Sequence, residues 1–146
     1  MIKNKSVLFV PECNPKLLYL KLLSSCVSAG FPSPADDYIE QKLDLNVHLI
    51  TNIPATFFVK AVGDSMEKVG IFSGDMLVVD RSKNASNGSI IIAVLDGELL
   101  VKRYGLTSKG KHSLIAESDE YEIIEIEKGQ DFEIWGVVTS VIHKFN

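Results

Sequence analysis

The sequence predicts a mainly β domain of short twisted strands behind an N-terminal arm. From Thr56 onward, short runs rich in Val, Ile, Phe and Thr are separated by Gly, Asn, Asp and Ser turns. Ten glycines and five prolines in 146 residues argue against a helix bundle, while a hydrophobic content of 46% is enough for one proper core. Pro32 and Pro34, ahead of the β-rich region, impose an extended segment between arm and body.

In chain order, Val7-Leu8-Phe9-Val10 is a short apolar run closed by Pro11 and reads as a strand or an extended segment. Between Pro15 and Cys26, leucines 17, 18, 22 and 23 fall near helical spacing over too short a stretch to hold a helix, so this part reads as a mobile arm. Phe31-Pro32-Ser33-Pro34 is extended, because proline removes donors and biases the residue before it toward β or polyproline geometry. Asp36 to Asn46 fits a short helix or irregular packing, with a second apolar patch at Leu49-Ile50. The strand candidates are 56–62, 76–81, 89–95, 98–104, 113–116, 121–125 and 132–143. Met76 to Val79 and Ile90 to Leu95 are apolar on both faces and belong at the centre; 121–127 alternates and belongs nearer an edge.

Charge narrows the partners. A net charge of −4 and a pI of about 5.3 exclude direct nucleic-acid binding as the expected role, since phosphate neutralisation needs a clustered basic surface. The charge is unevenly divided: Lys3, Lys5, Lys16 and Lys21 against Glu12 give residues 1–29 a formal +3, leaving −7 on the other 117. Lys3 and Lys5, Val27-Ser28-Ala29 and Leu23-Ser24-Ser25-Cys26 imitate parts of an export signal, but Pro11, Glu12, Asn14, Pro15, Lys16 and Lys21 interrupt the region that would have to be apolar. No stretch is long and apolar enough for a membrane span. Cys13 and Cys26 both lie in the arm, lack metal-ligand spacing and read as free thiols in a reducing cytoplasm. The acidic cluster from Glu117 to Glu127 reads as a solvated strand face rather than a metal site. No metal or cofactor is expected.

The stretch with chemical content is Val62-Gly63-Asp64-Ser65-Met66, which follows the apolar run Phe57-Phe58-Val59-Lys60-Ala61. A glycine and a turn-former after a strand make a bend that presents the Ser65 hydroxyl at its tip. A serine is a weak nucleophile until a base takes its proton. His48, His112 and His143 have no motif-like setting, whereas Lys102 lies 37 residues after Ser65 in the strand-like run Gly97 to Tyr104, on one face with Leu100 and Tyr104. An apolar setting disfavours the charged amine. Each residue also has an ordinary reading, Ser65 as a turn residue and Lys102 as a solvated strand charge.

The motifs add to this. Gly63-Asp64-Ser65-Met66, Ser73-Gly74-Asp75-Met76-Leu77-Val78-Val79-Asp80, Asp96-Gly97-Glu98 and Val101-Lys102-Arg103, in that order, resemble the self-cleaving Ser-Lys peptidases of the LexA/UmuD family. The segment from Ala29-Gly30 through Phe31-Pro32-Ser33-Pro34 to Gln41 resembles the cleavage region of the UmuD branch, and the likeness runs from about Ser28 to Ile142. No helix-turn-helix pattern precedes Gly30, unlike in the repressor branch, so operator binding is not expected. The resemblance implies a LexA/UmuD-like fold with Ser65 as nucleophile, Lys102 as general base, Ala29-Gly30 as the cleaved bond and the backbone amides of Asp64 and Ser65 as oxyanion donors. It implies an arm of residues 1–29, a linker of residues 30–50 and a peptidase domain of residues 51–146. It further implies a homodimer, activation by a RecA filament on single-stranded DNA, and support of a UmuC-type polymerase in the SOS response. Asp75 and Asp80 are expected in turn and strand-end roles, Trp135 in the core, and Ser118 stands where the UmuD branch leads one to look for asparagine. The rival reading is a catalytically silent dimeric module that regulates a polymerase.

Overall fold

The computed structural model describes residues 8–9, 11, 16–23, 29–30 and 40–145. Among these, the strands in chain order are β1 (Leu8–Phe9), β2 (Leu20–Leu23), β3 (Glu40–Leu43), β4 (Thr56–Lys60), β5 (Met76–Asp80), β6 (Ile90–Leu95), β7 (Glu98–Leu106), β8 (His112–Ile115), β9 (Ile124–Glu125) and β10 (Phe132–Ile142). The chain divides into two compact units, Met1–Cys13 with Asn52–Asn146, and Asn14–Thr51. The mainly β fold is the one the sequence predicts.

The larger unit carries an eight-stranded sheet in the order β1-β4-β5-β10-β6-β7-β8-β9, with every pairing antiparallel. The side-chain period of two explains why β6 is apolar throughout. Ile92 joins a core cluster with Phe57, Val59, Leu77 and Val79, while Ile91 and Ala93 join a second cluster with Tyr104 and Leu114. Leu77, Val78 and Val79, each worth roughly 1.5–3 kcal/mol when buried, anchor β5, the strand behind the serine-bearing loop. β10 lies between β5 and β6 and slips register at Ile134/Gly136 and again at Val138/Ser140, bulges that let one long strand twist to serve both neighbours. The β6–β7 hairpin turns on Asp96-Gly97, at φ 50° and 85°, the left-handed pair a tight two-residue turn requires. Trp135 is half-buried, packs on the first cluster edge-on to Phe57 at 6.4 Å, and has the Arg81 guanidinium 5.7 Å from its ring centre.

The smaller unit contains the antiparallel pair β2–β3, from Leu20↔Leu43 to Leu23↔Glu40, and helix α1 (Leu45–Leu49). Asp44 caps that helix, accepting from the Asn46 and Val47 amides at 2.8 and 3.2 Å, and its other oxygen takes the Leu18 amide at 2.6 Å. The Leu18 bond is the main reason the Asp44 carboxyl stays below its usual range.

The structure corrects the sequence reading in places. The stretch read as a mobile arm between Pro15 and Cys26 contains a paired strand, because Leu20–Leu23 finds backbone partners some twenty residues away in Glu40–Leu43. Within Asp36 to Asn46, residues 40–43 are strand and the helix begins only after Asp44. The strand expected at 121–125 shrinks to Ile124–Glu125, since the residues before it form a loop against the serine bend. The expectations for Phe31 to Pro34 and for Cys13 and Cys26 lie outside the described residues. Among the described residues, no helix is long and apolar enough to cross a membrane.

Candidate active site

Ser65 is held by constraints on both sides. Past the end of β4, the Ala61 amide donates to the Asp75 carbonyl at 2.8 Å and the Ala61 carbonyl accepts from the Gly74 amide at 2.8 Å, pinning the chain to the turn before β5. Gly63 then adopts φ 96°, which a residue with a Cβ rarely tolerates, and its amide reaches Ser73 Oγ at 3.3 Å. On the far side Met66 is only 2% exposed and plugs into the first core cluster. A short 3₁₀ turn, Glu67–Val69, follows and closes on Gly70. The Ser65 carbonyl accepts from the Glu117 amide at 2.8 Å, and the Glu117 carbonyl from the Lys68 amide at 3.0 Å, so the loop after β8 is strapped to the bend.

Lys102 arrives from β7, where it pairs with Ile91 of β6. Its Nζ lies 2.6 Å from Ser65 Oγ. The side chain is 9% exposed, and burial lowers its pKa from the ordinary 10.5 because a low-dielectric setting penalises the ammonium. The Tyr121 ring centre is 5.7 Å from Nζ, and the Tyr121 hydroxyl donates to Asp64 Oδ1 at 2.6 Å. Arg103, next along β7, is neutralised by Glu117 and donates to the Gly88 carbonyl at 2.7 Å. An amine in hydrogen-bond contact with a hydroxyl can take its proton once the amine is neutral, and burial moves that condition toward physiological pH. The Asp64 and Ser65 amides donate to no acceptor among the described residues.

Sequence reasoning brings Ser65 and Lys102 together as the structure does. Ala29 and Gly30 are both exposed and belong to the smaller unit. Asp75 serves a turn, accepting from the Phe72 amide at 2.8 Å and lying 2.5 Å from His143 Nδ1, while Asp80 closes β5 by accepting from Ser82 N at 2.7 Å and Ser82 Oγ at 2.6 Å. Within the acidic cluster, Glu117 and Asp119 pair with Arg103 and Lys68 and do not sit on a strand face. Among the described residues, Ser118 Oγ meets only the Glu120 amide, at 3.5 Å. Tyr121 and Glu117 were not singled out from the sequence as parts of the site. Their contacts to residues 64 and 65 cross more than fifty positions, and no local spacing announces them.

Comparison with known proteins agrees with the fold. Residues 21–139 match the family model described as Peptidase S24-like. The chain is 44% identical over 138 residues to Protein SamA of Salmonella typhimurium, covering 94% of this chain and 95% of that protein. It is 45% identical over 123 residues to Protein ImpA of Shigella flexneri, covering 84% and 83%. With the LexA repressor of Paracidovorax citrulli it shares 36% identity over 116 residues, 80% of this chain but 51% of the repressor. With more than half its length matched by the family model and relatives of 36–45% identity covering 80–94% of it, the chain belongs to the Peptidase S24-like family, and within it to the UmuD type of the LexA/UmuD group.

Proposed function

We propose that this chain cuts its own Ala29-Gly30 bond with Ser65 as nucleophile and Lys102 as general base. The observation that carries the reading is the 2.6 Å contact between Ser65 Oγ and a Lys102 amine whose burial favours the neutral form. As Oγ attacks the Ala29 carbonyl carbon, its proton passes to Lys102 Nζ, and the carbonyl oxygen becomes an oxyanion facing the Asp64 and Ser65 amides. Collapse breaks the C–N bond, and Lys102 returns the proton to the departing Gly30 amine. Water, deprotonated by the same lysine, then hydrolyses the Ser65 ester. Small residues flank the bond, so neither side chain obstructs approach to the carbonyl.

The UmuD-type relatives support a wider setting, SOS mutagenesis. In this reading a RecA filament on single-stranded DNA promotes the cut by favouring the docked state of the cleavage segment, and the processed homodimer assists a UmuC-type polymerase. Incubation of the purified chain at mildly alkaline pH, followed by intact mass, tests the chemistry. Fragments 1–29 and 30–146 are expected, and none from Ser65→Ala or Lys102→Ala. A Lys102→Ala chain that processes itself at the parental rate rules the pairing out.

A further inference from the structure

Asp64 adjoins Ser65 in sequence, and Ser65 Oγ touches the Lys102 amine at 2.6 Å, so a carboxylate sits one residue from the proposed nucleophile, which itself contacts the proposed base. That carboxylate is engaged elsewhere: the Tyr121 hydroxyl donates to Asp64 Oδ1 at 2.6 Å, while the Tyr121 ring lies 5.7 Å from Lys102 Nζ. A carboxylate that reached the amine would form an ion pair and raise the lysine's pKa by about 1–3 units, holding it as an ammonium that cannot accept the serine proton. Ser65 and Tyr121 face the amine, and Ile91 pairs with Lys102 across β6; elsewhere on the bend and β7, Lys68 is matched by Asp119 and Arg103 by Glu117. Glu67 and Glu120 act on Tyr121 together with Asp64.

We propose that Tyr121 is a positioning residue: its hydroxyl ties up the Asp64 carboxylate and so keeps Lys102 free of an anionic partner. The inference rests on the Ser65-Lys102 reading above. The hydroxyl and the ring act in opposite directions. The face of an aromatic ring favours a nearby cation, so the ring by itself stabilises the ammonium, and the hydroxyl is the part that favours a neutral base. The Asp64 bond also raises the phenol's own pKa, so the hydroxyl remains a donor as the solution becomes alkaline.

Tyr121→Phe separates the two effects, since it keeps the ring and removes the hydroxyl. In the full-length chain carrying Ser65→Ala, which keeps the arm attached, the Lys102 pKa can be read by NMR titration of ¹³Cε-labelled lysine, with the resonance assigned by Lys102→Arg. Tyr121→Phe should raise it by about one unit. Adding Asp64→Asn should bring it back to the Tyr121 value, and Asp64→Asn alone should not raise it. A merely structural role for Tyr121 would give no such rescue. An unmoved pKa in Tyr121→Phe, or a rise that persists with Asp64→Asn, overturns the proposal. With Ser65 restored, Tyr121→Phe should slow cleavage at neutral pH about tenfold, and Asp64→Asn should restore it. Parental cleavage by Lys102→Ala would sink the Ser-Lys reading and leave the titration to judge Tyr121; lysine-dependent cleavage with an unmoved titration would sink the Tyr121 proposal alone.

Discussion

Asp75 and His143, 68 residues apart, meet at 2.5 Å beneath the turn that holds the Ser65 loop. Asp75 is 2% exposed, and burial pushes its pKa upward, but the Phe72 amide and the His143 hydrogen bond and charge together outweigh burial and keep the carboxyl below its usual 3.8. Asp75→Ala leaves the Phe72 amide without its acceptor and should cost about 2 kcal/mol. For a chain of this size that corresponds to roughly 4–8 °C in Tm, readable by calorimetry. Because the folded pKa is the depressed one, the carboxylate's contribution is complete above pH 3.8 and is lost as pH falls through the lower folded value. The wild-type advantage over Asp75→Asn should therefore shrink in acid and not at neutral pH.

If Lys102 is the base, the rate of self-cleavage should rise with pH, about tenfold per unit below the folded pKa of its amine, and level off above it. That midpoint should fall below 10.5, in the direction burial drives it. A rate that stays flat from neutral to alkaline pH in the folded protein would exclude the lysine.

The same burial makes a stability prediction of defined sign. Between the lowered folded pKa and 10.5 the unfolded chain binds more protons at Lys102 than the native one, so this group's contribution improves as pH rises through that window. Lys102→Met removes the cost of the buried charge and should stabilise the chain at neutral pH by about 1 kcal/mol. Urea midpoints at pH 7 and pH 10 should show that gain shrinking at the higher pH.

Gly136 occupies the first bulge of β10, where an added Cβ would lie 2.7 Å from Val79 Cγ1 and 3.1 Å from the Asp80 carbonyl oxygen. Gly136→Ala should destabilise by about 1–3 kcal/mol, because both neighbours belong to the fully packed end of β5. A Tm within a degree of the parent would show that the bulge can relax.

The central strands were legible because their runs are long and apolar on both faces, and the bend at Gly63 because few residues adopt that backbone conformation. Ser65 and Lys102 could be paired through ordered motifs, not through any spacing that forces contact. What escaped was set by distant pairing. Leu20–Leu23 carries leucines at near-helical spacing, yet backbone bonds to Glu40–Leu43 determine its state. Tyr121 to Glu125 alternates like a strand, but the Glu117 bonds to Ser65 and Lys68 and the Tyr121 bond to Asp64 draw its first residues into a loop. Tertiary contacts overrode local pattern at both places.

β1 lies along the outer edge of β4, with Leu8 opposite Val59 and Phe9 opposite Phe58. While the chain is continuous, that short strand is always at hand, at an effective concentration of order millimolar. A cut at Ala29-Gly30 would turn it into a separate peptide that must find the edge again from dilute solution. Losing that local concentration would weaken the strand's hold on the edge. The outer N–H and C=O groups of β4 would pass from paired to open, and the molecule would carry in its shape a lasting record that the cut had occurred, erased only by making a new chain.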